Sequence, residues 1–192
     1  GVPTDYVMLR GIFTVPILLS ALGLSQEHRD WLRERALAAY EQNNPNGKPW
    51  SRNTRQSLQE QDSTFAGVFG AVIEAAERAF GVTVSEITGR ELVQFDGDFI
   101  PPHVESASLS AIYWIDCDAI SNPQADDHNG ALVLQSPVGP FGGKTLHCER
   151  RVHMVHPKPD TLLIFPSHLL HFGHVYNAQR PSVEIHFELE VA

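Results

Sequence analysis

The chain has 192 residues, an apolar fraction of 42% and a formal net charge of -9 at pH 7. This length and composition fit one domain with one sizeable core, and the acidic balance disfavours nucleic acid or an anionic membrane as a partner. A small-molecule partner is expected instead. The cysteines, Cys117 and Cys148, form neither a disulfide framework nor a paired zinc motif, so a cytoplasmic protein is expected. No apolar run approaches the roughly 20 residues of a membrane span.

Two amphipathic helices are predicted in the first half. Ser25 offers an N-cap oxygen, and the first helix is expected to run to Asn43. Asp62 is expected to cap the second helix, which runs to Phe80 and is stopped by Gly81. The apolar face of the first helix is expected to contain Trp31, Leu32, Ala36, Ala39 and Tyr40.

Short apolar or alternating runs fill the second half and predict a mainly β structure, an antiparallel sandwich or barrel with flanking helices. Residues 1–192 are treated as one domain, with a helical part at 1–85 and a β core at 86–192. In the last run, Ser182, Glu184, His186 and Glu188 are expected to share one face. Strands are expected at 90–95, 101–105, 108–116, 131–135, 145–155, 161–165, 171–176 and 182–191.

The residues most suggestive of chemistry lie in the segment Pro101-Pro102-His103-Val104-Glu105. Prolines favour an extended backbone, and side chains alternate along a strand, so His103 and Glu105 are expected to face the same way. Together they can chelate one metal ion. A second imidazole would complete a set that leaves iron(II) with open positions for oxygen chemistry. Spacing alone leaves His168, His171 and His174 as candidates.

Residues 160–171, with the sequence DTLLIFPSHLLH, resemble the segment of iron(II)/2-oxoglutarate-dependent oxygenases that carries the second histidine ligand. The similarity extends over residues 90–190 and is to the small, prolyl-4-hydroxylase-like members. It implies a double-stranded β-helix, also called a jelly roll or cupin-like fold. It also implies that His103, Glu105 and His171 are the iron ligands.

The same resemblance assigns a cosubstrate site to Arg180 and Ser182, which match an Arg-x-Ser pair that holds the far carboxylate of 2-oxoglutarate. A guanidinium fork and a hydroxyl suit a carboxylate. The chain departs from the common pattern at Glu105, where most members have Asp, and at Phe95, where many have Tyr. A carboxylate ligand favours oxygen transfer over halogenation.

The reaction implied is oxidation of a small molecule, most simply hydroxylation, with O2 and 2-oxoglutarate consumed and succinate and CO2 released. Desaturation, epoxidation and cyclisation are open to the same class. The alternatives are a 2-oxoglutarate-independent iron dioxygenase, in which Arg180 binds the substrate's own acid, and a non-enzymatic metal- or ligand-binding β-helix domain.

Several further residues have an ambiguous role. Residues 43–61 are rich in turn formers and are expected to form a loop able to cover a site. Three residues of this loop, Trp50, Arg52 and Arg55, either line a pocket or are solvated, and so do Arg150 and Arg151. Glu184 and His186 would point inward if the face of Ser182 lines the barrel, and there they either contact the substrate or form a hydrated pair. Cys148 is not expected to be a nucleophile, because its neighbours His147 and Glu149 face away from it.

Overall fold

A computed structural model describes residues 14–44, 56–137 and 151–192. The described strands form two antiparallel sheets, one with the order β1-β6-β3-β8-β2 and one with the order β5-β4-β7. Two such sheets facing each other are the layout of a jelly roll. The strands are β1 (Leu18–Ala21), β2 (Val84–Gln94), β3 (Leu109–Asp116), β4 (Leu132–Gln135), β5 (Val152–Val155), β6 (Thr161–Pro166), β7 (His171–Gly173) and β8 (Ser182–Val191).

The strand pattern departs from the sequence prediction in four places. β2 begins at Val84, six residues before the strand expected at 90–95. β1 was not predicted, yet it pairs with β6 at the edge of the larger sheet. The expected strand at 101–105 is wrong, since its one ladder contact is an isolated bridge between His103 and His171. The expected strand at 171–176 ends at Gly173. Residues 145–150 of another predicted strand lie outside the described residues.

The helices are α1 (Gln26–Asn43), α2 (Leu58–Gln61) and α3 (Ala66–Phe80). The predicted N-cap is confirmed, because Ser25 Oγ accepts a hydrogen bond from the His28 amide at 3.2 Å. Gly81 ends α3 in the left-handed conformation with φ 66°, which glycine adopts without strain.

Three helix predictions need correction. Asp62 caps a 3-10 turn (Ser63–Phe65) and not α3 itself. The loop expected at 43–61 contains α2, while residues 45–55, with Trp50, Arg52 and Arg55, lie outside the described part. Trp31 does not belong to the buried face of α1, because it is 41% exposed.

Two apolar clusters lie on opposite faces of the larger sheet. The outer cluster joins α1 and α3 to the sheet through residues such as Leu32, Phe69 and Phe187. The inner cluster lies between the sheets and includes Trp114, Leu132 and other residues. Each large side chain buried in this way contributes roughly 1.5–3 kcal/mol. The inner space between the sheets is therefore where a site can be enclosed.

The alternation predicted for β8 is confirmed. Val183, Ile185 and Phe187 belong to the outer cluster, so the intervening residues from Ser182 to Glu188 face the inner space. Over the described residues, no helix is both long and apolar enough to cross a membrane.

Candidate metal centre

The backbone brings two histidines from distant parts of the chain side by side. The His103 amide donates to the His171 carbonyl, and the His171 amide donates to the His103 carbonyl, both at 3.0 Å. The two imidazole centroids are 4.1 Å apart. Two imidazoles bound at right angles to one ion have centroids about 4.5 Å apart. The spacing of the rings therefore suits ligation of one ion.

Both rings are held in the same tautomer. Nδ1 of His103 lies 2.8 Å from the Pro101 carbonyl, and Nδ1 of His171 lies 2.9 Å from the Leu169 carbonyl. A carbonyl oxygen only accepts, so each Nδ1 carries a proton, and Nε2 is the atom left to bind a metal. An Nδ1–H bonded to a carbonyl is the usual support of a metal-bound histidine.

Glu105 stands beside this pair. Its Oε1 lies 3.5 Å from Nε2 of His103, and its backbone amide donates to the Ser167 carbonyl at 3.1 Å. The predicted common orientation of the two side chains is therefore found, although their segment is not part of a sheet. Two ligand atoms at right angles on one ion lie about 3 Å apart.

The charge states of these groups suit a metal. The neighbouring His103 imidazole, opposed by partial burial, lowers the pKa of Glu105 to about 2, so its carboxylate is ionised at neutral pH. Burial lowers the pKa of His171 to about 4, and this ring is neutral. Metals bind neutral imidazole and ionised carboxylate. Within the described residues, no group of three or more His, Cys, Asp or Glu side chains is already placed to hold a metal ion.

The two predicted cosubstrate residues contact carboxylates of the chain itself. Ser182 is buried at the start of β8, where its hydroxyl donates to Glu184 Oε1 at 2.8 Å. The Arg180 side chain is 55% exposed and pairs with Asp116 at 3.6 Å and Asp118 at 3.5 Å. Both residues are thus engaged by carboxylates of the chain itself.

A network of polar side chains lies between the two sheets, and the sequence predicted only part of it. Glu184 is 1% exposed, and its carboxylate accepts from Gln94 Nε2 at 2.7 Å as well as from Ser182. Nε2 of His186 lies 2.7 Å from its other oxygen. The period-two pattern of β8 indicated Glu184 and His186, but Gln94 is recognised only from the register that places it opposite Ser182.

Arg90 and Glu188 extend this polar region to the metal ligands. Their side chains pair at 3.3 Å, and both line a small cavity together with Glu105, His171 and His186. Arg90 was missed because only the register that places it opposite His186 reveals its inward face. The cavity therefore joins the candidate metal ligands to one cation and one further carboxylate.

The remaining candidates lie elsewhere or outside the description. His168 is exposed in the turn between β6 and β7, and Arg151 lines a groove on the smaller sheet. Arg150 and Cys148 lie outside the described residues. Cys117 is a buried free thiol.

The fold resembles several solved structures. A Pseudomonas putida prolyl-4-hydroxylase is 16% identical, with 92% of this chain and 89% of that chain covered and a TM-score of 0.57. AviO1 from Streptomyces viridochromogenes is 14% identical, with 92% of this chain and 90% of that chain covered and a TM-score of 0.65. HygX from Streptomyces hygroscopicus, solved with nickel and 2-oxoglutarate bound, is 11% identical. The match covers 92% of this chain and 83% of that chain, with a TM-score of 0.63.

No family model matches the chain. No curated protein matches it either. The structural matches confirm the predicted fold, the double-stranded β-helix.

Proposed function

We propose that this chain is an iron(II)- and 2-oxoglutarate-dependent oxygenase that oxidises a small molecule, most simply by hydroxylation. The observation that carries the proposal is the pairing of His103 with His171, both with Nδ1 bound to a backbone carbonyl. Glu105 adds an ionised oxygen ligand. The chemistry of this donor set fits iron(II), which it would hold with coordination positions open.

When bound, iron(II) and 2-oxoglutarate supply the oxidising power from O2, with succinate and CO2 released. The residues of the chain bind and orient the reactants and exclude water. Arg180 and Ser182 would receive the far carboxylate of 2-oxoglutarate. To donate to 2-oxoglutarate, the Ser182 hydroxyl must first break its hydrogen bond to Glu184. The Arg180 side chain must likewise break its ion pairs with Asp116 and Asp118.

A 2-oxoglutarate-independent iron dioxygenase is the second candidate, and one observation favours it. The buried carboxylate of Glu184 lies within hydrogen-bond distance of Ser182 Oγ. This negative charge opposes a dicarboxylate cosubstrate at the same place. In this second candidate, Arg180 would bind an acid group of the substrate.

The two are separated by anaerobic visible spectroscopy of the metal-free protein, titrated with iron(II) and then with 2-oxoglutarate. A weak charge-transfer band on addition of 2-oxoglutarate is expected in the wild type, and Arg180→Ala is expected to weaken it at equal ligand concentration. Arg78→Ala is the matched control, since it removes the same charge from the exposed face of α3. His171→Ala is expected to lose iron binding.

Iron binding without a band would favour the second candidate. Absence of iron binding in the wild type would overturn both candidates and favour a non-enzymatic ligand-binding domain.

A further inference from the structure

Three histidines outside the candidate iron centre meet on the smaller sheet. His156 follows β5, His174 follows β7, and His128 precedes β4, the strand between them. In the register of these strands Leu132 lies opposite both Val155 and Gly173. His156 follows Val155 and His174 follows Gly173, so both histidines lie opposite Ala131, the residue before Leu132.

The three rings lie on the outer face of this sheet. Leu132, Leu134 and Val155 belong to the inner cluster, so His156, one residue after Val155, faces outward. His174 is three residues beyond the inward-facing His171 and also faces outward. The sheet therefore separates this cluster from the candidate iron centre.

The distances suit shared ligation. Nδ1 of His128 and Nε2 of His156 are 3.1 Å apart. Two imidazole nitrogens bound to one tetrahedral zinc lie about 3.3 Å apart, and their ring centroids about 5 Å apart. The ring of His128 lies 5.4 Å from that of His156 and 5.7 Å from that of His174.

Asp126 supports the orientation of His128. Its Oδ1 lies 3.2 Å from Nε2 of His128, so Nε2 carries the proton and Nδ1, which faces His156, carries the lone pair. A carboxylate behind a histidine in this way is the common support of a zinc ligand. The Asp126 side chain is fully exposed, so its contribution is orientation more than energy.

We propose that His128, His156 and His174 form a second metal site that binds Zn²⁺ and ties together strands β5, β4 and β7. Imidazole is a preferred ligand of zinc. A water molecule fills the fourth position. Among the described residues no group of three His, Cys, Asp or Glu side chains is already placed to hold a metal ion, so His174 would have to rotate about its side-chain torsions to complete the set.

The test is a zinc titration of the metal-free protein at pH 7.5 in competition with a colorimetric zinc chelator. Wild type is expected to bind two equivalents, one at each site. His156→Ala and His174→Ala are each expected to bind one. His153→Ala, on β5 but on its other face, is the matched control and is expected to keep both. Circular dichroism checks that each variant is folded.

Asp126→Asn keeps all three ligands and is expected to weaken the second site about tenfold. The proposal is overturned if His156→Ala binds as much zinc as wild type, or if the second equivalent binds more weakly than about 0.1 mM, the range of adventitious surface histidines.

The result is independent of the oxygenase proposal. If zinc does not occupy the candidate iron centre, wild type binds one equivalent, which His171→Ala retains and His156→Ala loses. That outcome supports the second site while the first fails. In that case zinc is also expected to raise the Tm of wild type and His171→Ala but not that of His156→Ala.

Discussion

Ser182 and Glu184 lie two residues apart on β8, and the hydroxyl of Ser182 donates a 2.8 Å hydrogen bond to the buried Glu184 carboxylate. This contact places a negative charge beside a residue proposed to bind the far carboxylate of 2-oxoglutarate. Like charges in a poorly solvated space repel strongly. Glu184 is therefore expected to limit the affinity for this cosubstrate.

Glu184→Gln is expected to tighten 2-oxoglutarate binding about tenfold, which corresponds to about 1.4 kcal/mol. The amide keeps an oxygen that can accept from Ser182 and Gln94. Affinity is measured from the charge-transfer band during anaerobic titration. Glu190→Gln removes the same charge from an exposed position on β8 and should leave the affinity unchanged. Weaker binding in Glu184→Gln would show that Glu184 assists the cosubstrate.

Gly89 on β2 is expected to tolerate no side chain. A Cβ there would lie 2.6 Å from Cζ of Phe69 and 2.9 Å from Cδ1 of Phe187, whose rings form a buried edge-to-face pair. Gly89→Ala is expected to lower the free energy of unfolding by about 1–3 kcal/mol, because buried rings cannot yield without repacking. Urea denaturation measures the loss.

Gly70 on α3 provides the opposite case. A Cβ there would meet no atom within 4 Å, and alanine is the better helix former. Gly70→Ala is expected to raise the free energy of unfolding by about 0.8–1 kcal/mol. Equal effects of the two substitutions would contradict the packing described at Gly89.

The Asp160 side chain links the segment between β1 and α1 to the larger sheet through hydrogen bonds. Its carboxylate accepts from the Gly23 amide at 2.8 Å, the Leu24 amide at 3.1 Å and the Tyr113 hydroxyl at 3.0 Å. Burial, aided by this carboxylate, holds the pKa of Tyr113 well above its usual range, so the phenol remains a donor.

Asp160→Ala is expected to lower the free energy of unfolding by about 3 kcal/mol, since three donors lose a charged acceptor. The backbone φ of residue 160 is 66°, a left-handed conformation that is strained for alanine. Asp160→Asn should lose less, because asparagine keeps one oxygen and tolerates this conformation. Chemical denaturation compares the two variants, and a smaller loss for alanine would contradict the role given to the carboxylate.

Cys117 is expected to be unreactive in the folded protein. Burial raises the pKa of its thiol to about 11, so at pH 8 only about 0.1% is thiolate, against roughly a quarter in the unfolded chain. In a Cys148→Ser variant, a disulfide reagent should therefore label the native protein at least 100-fold more slowly than the denatured protein. The native rate should rise with pH towards 11. Comparable rates at pH 8 would place Cys117 at the surface.

Local signals predicted much of this fold. Ser25 and Gly81 mark helix ends through contacts within a few residues, and the alternation of β8 needs only its own sequence. The paired orientation of His103 and Glu105 was also predicted correctly, although the strand from which it was inferred is absent. The role of His171 needed the resemblance to a known family, because spacing did not separate it from His168 and His174.

Long-range pairing explains what was missed. Asp116 comes opposite Val183 only after a register shift beyond Trp114, and its carboxylate lies 3.6 Å from the Arg180 guanidinium. A bulge of this kind leaves no reliable mark in one sequence. Arg90 likewise needs its partner His186 to reveal its inward face, and the short strand β1 has too few residues to show a period.

The bridge between His103 and His171 also bears on the order in which the protein opens. The segment with His103 and Glu105 belongs to neither sheet. Two main-chain hydrogen bonds link His103 to His171 of β7, and one links the Glu105 amide to the Ser167 carbonyl. Such a weakly paired stretch is expected to open before the sheets do. A divalent ion held by all three ligands would close the long loop between them as a cross-link. Metal loading would then protect this segment from proteolysis, with the sheets unaffected.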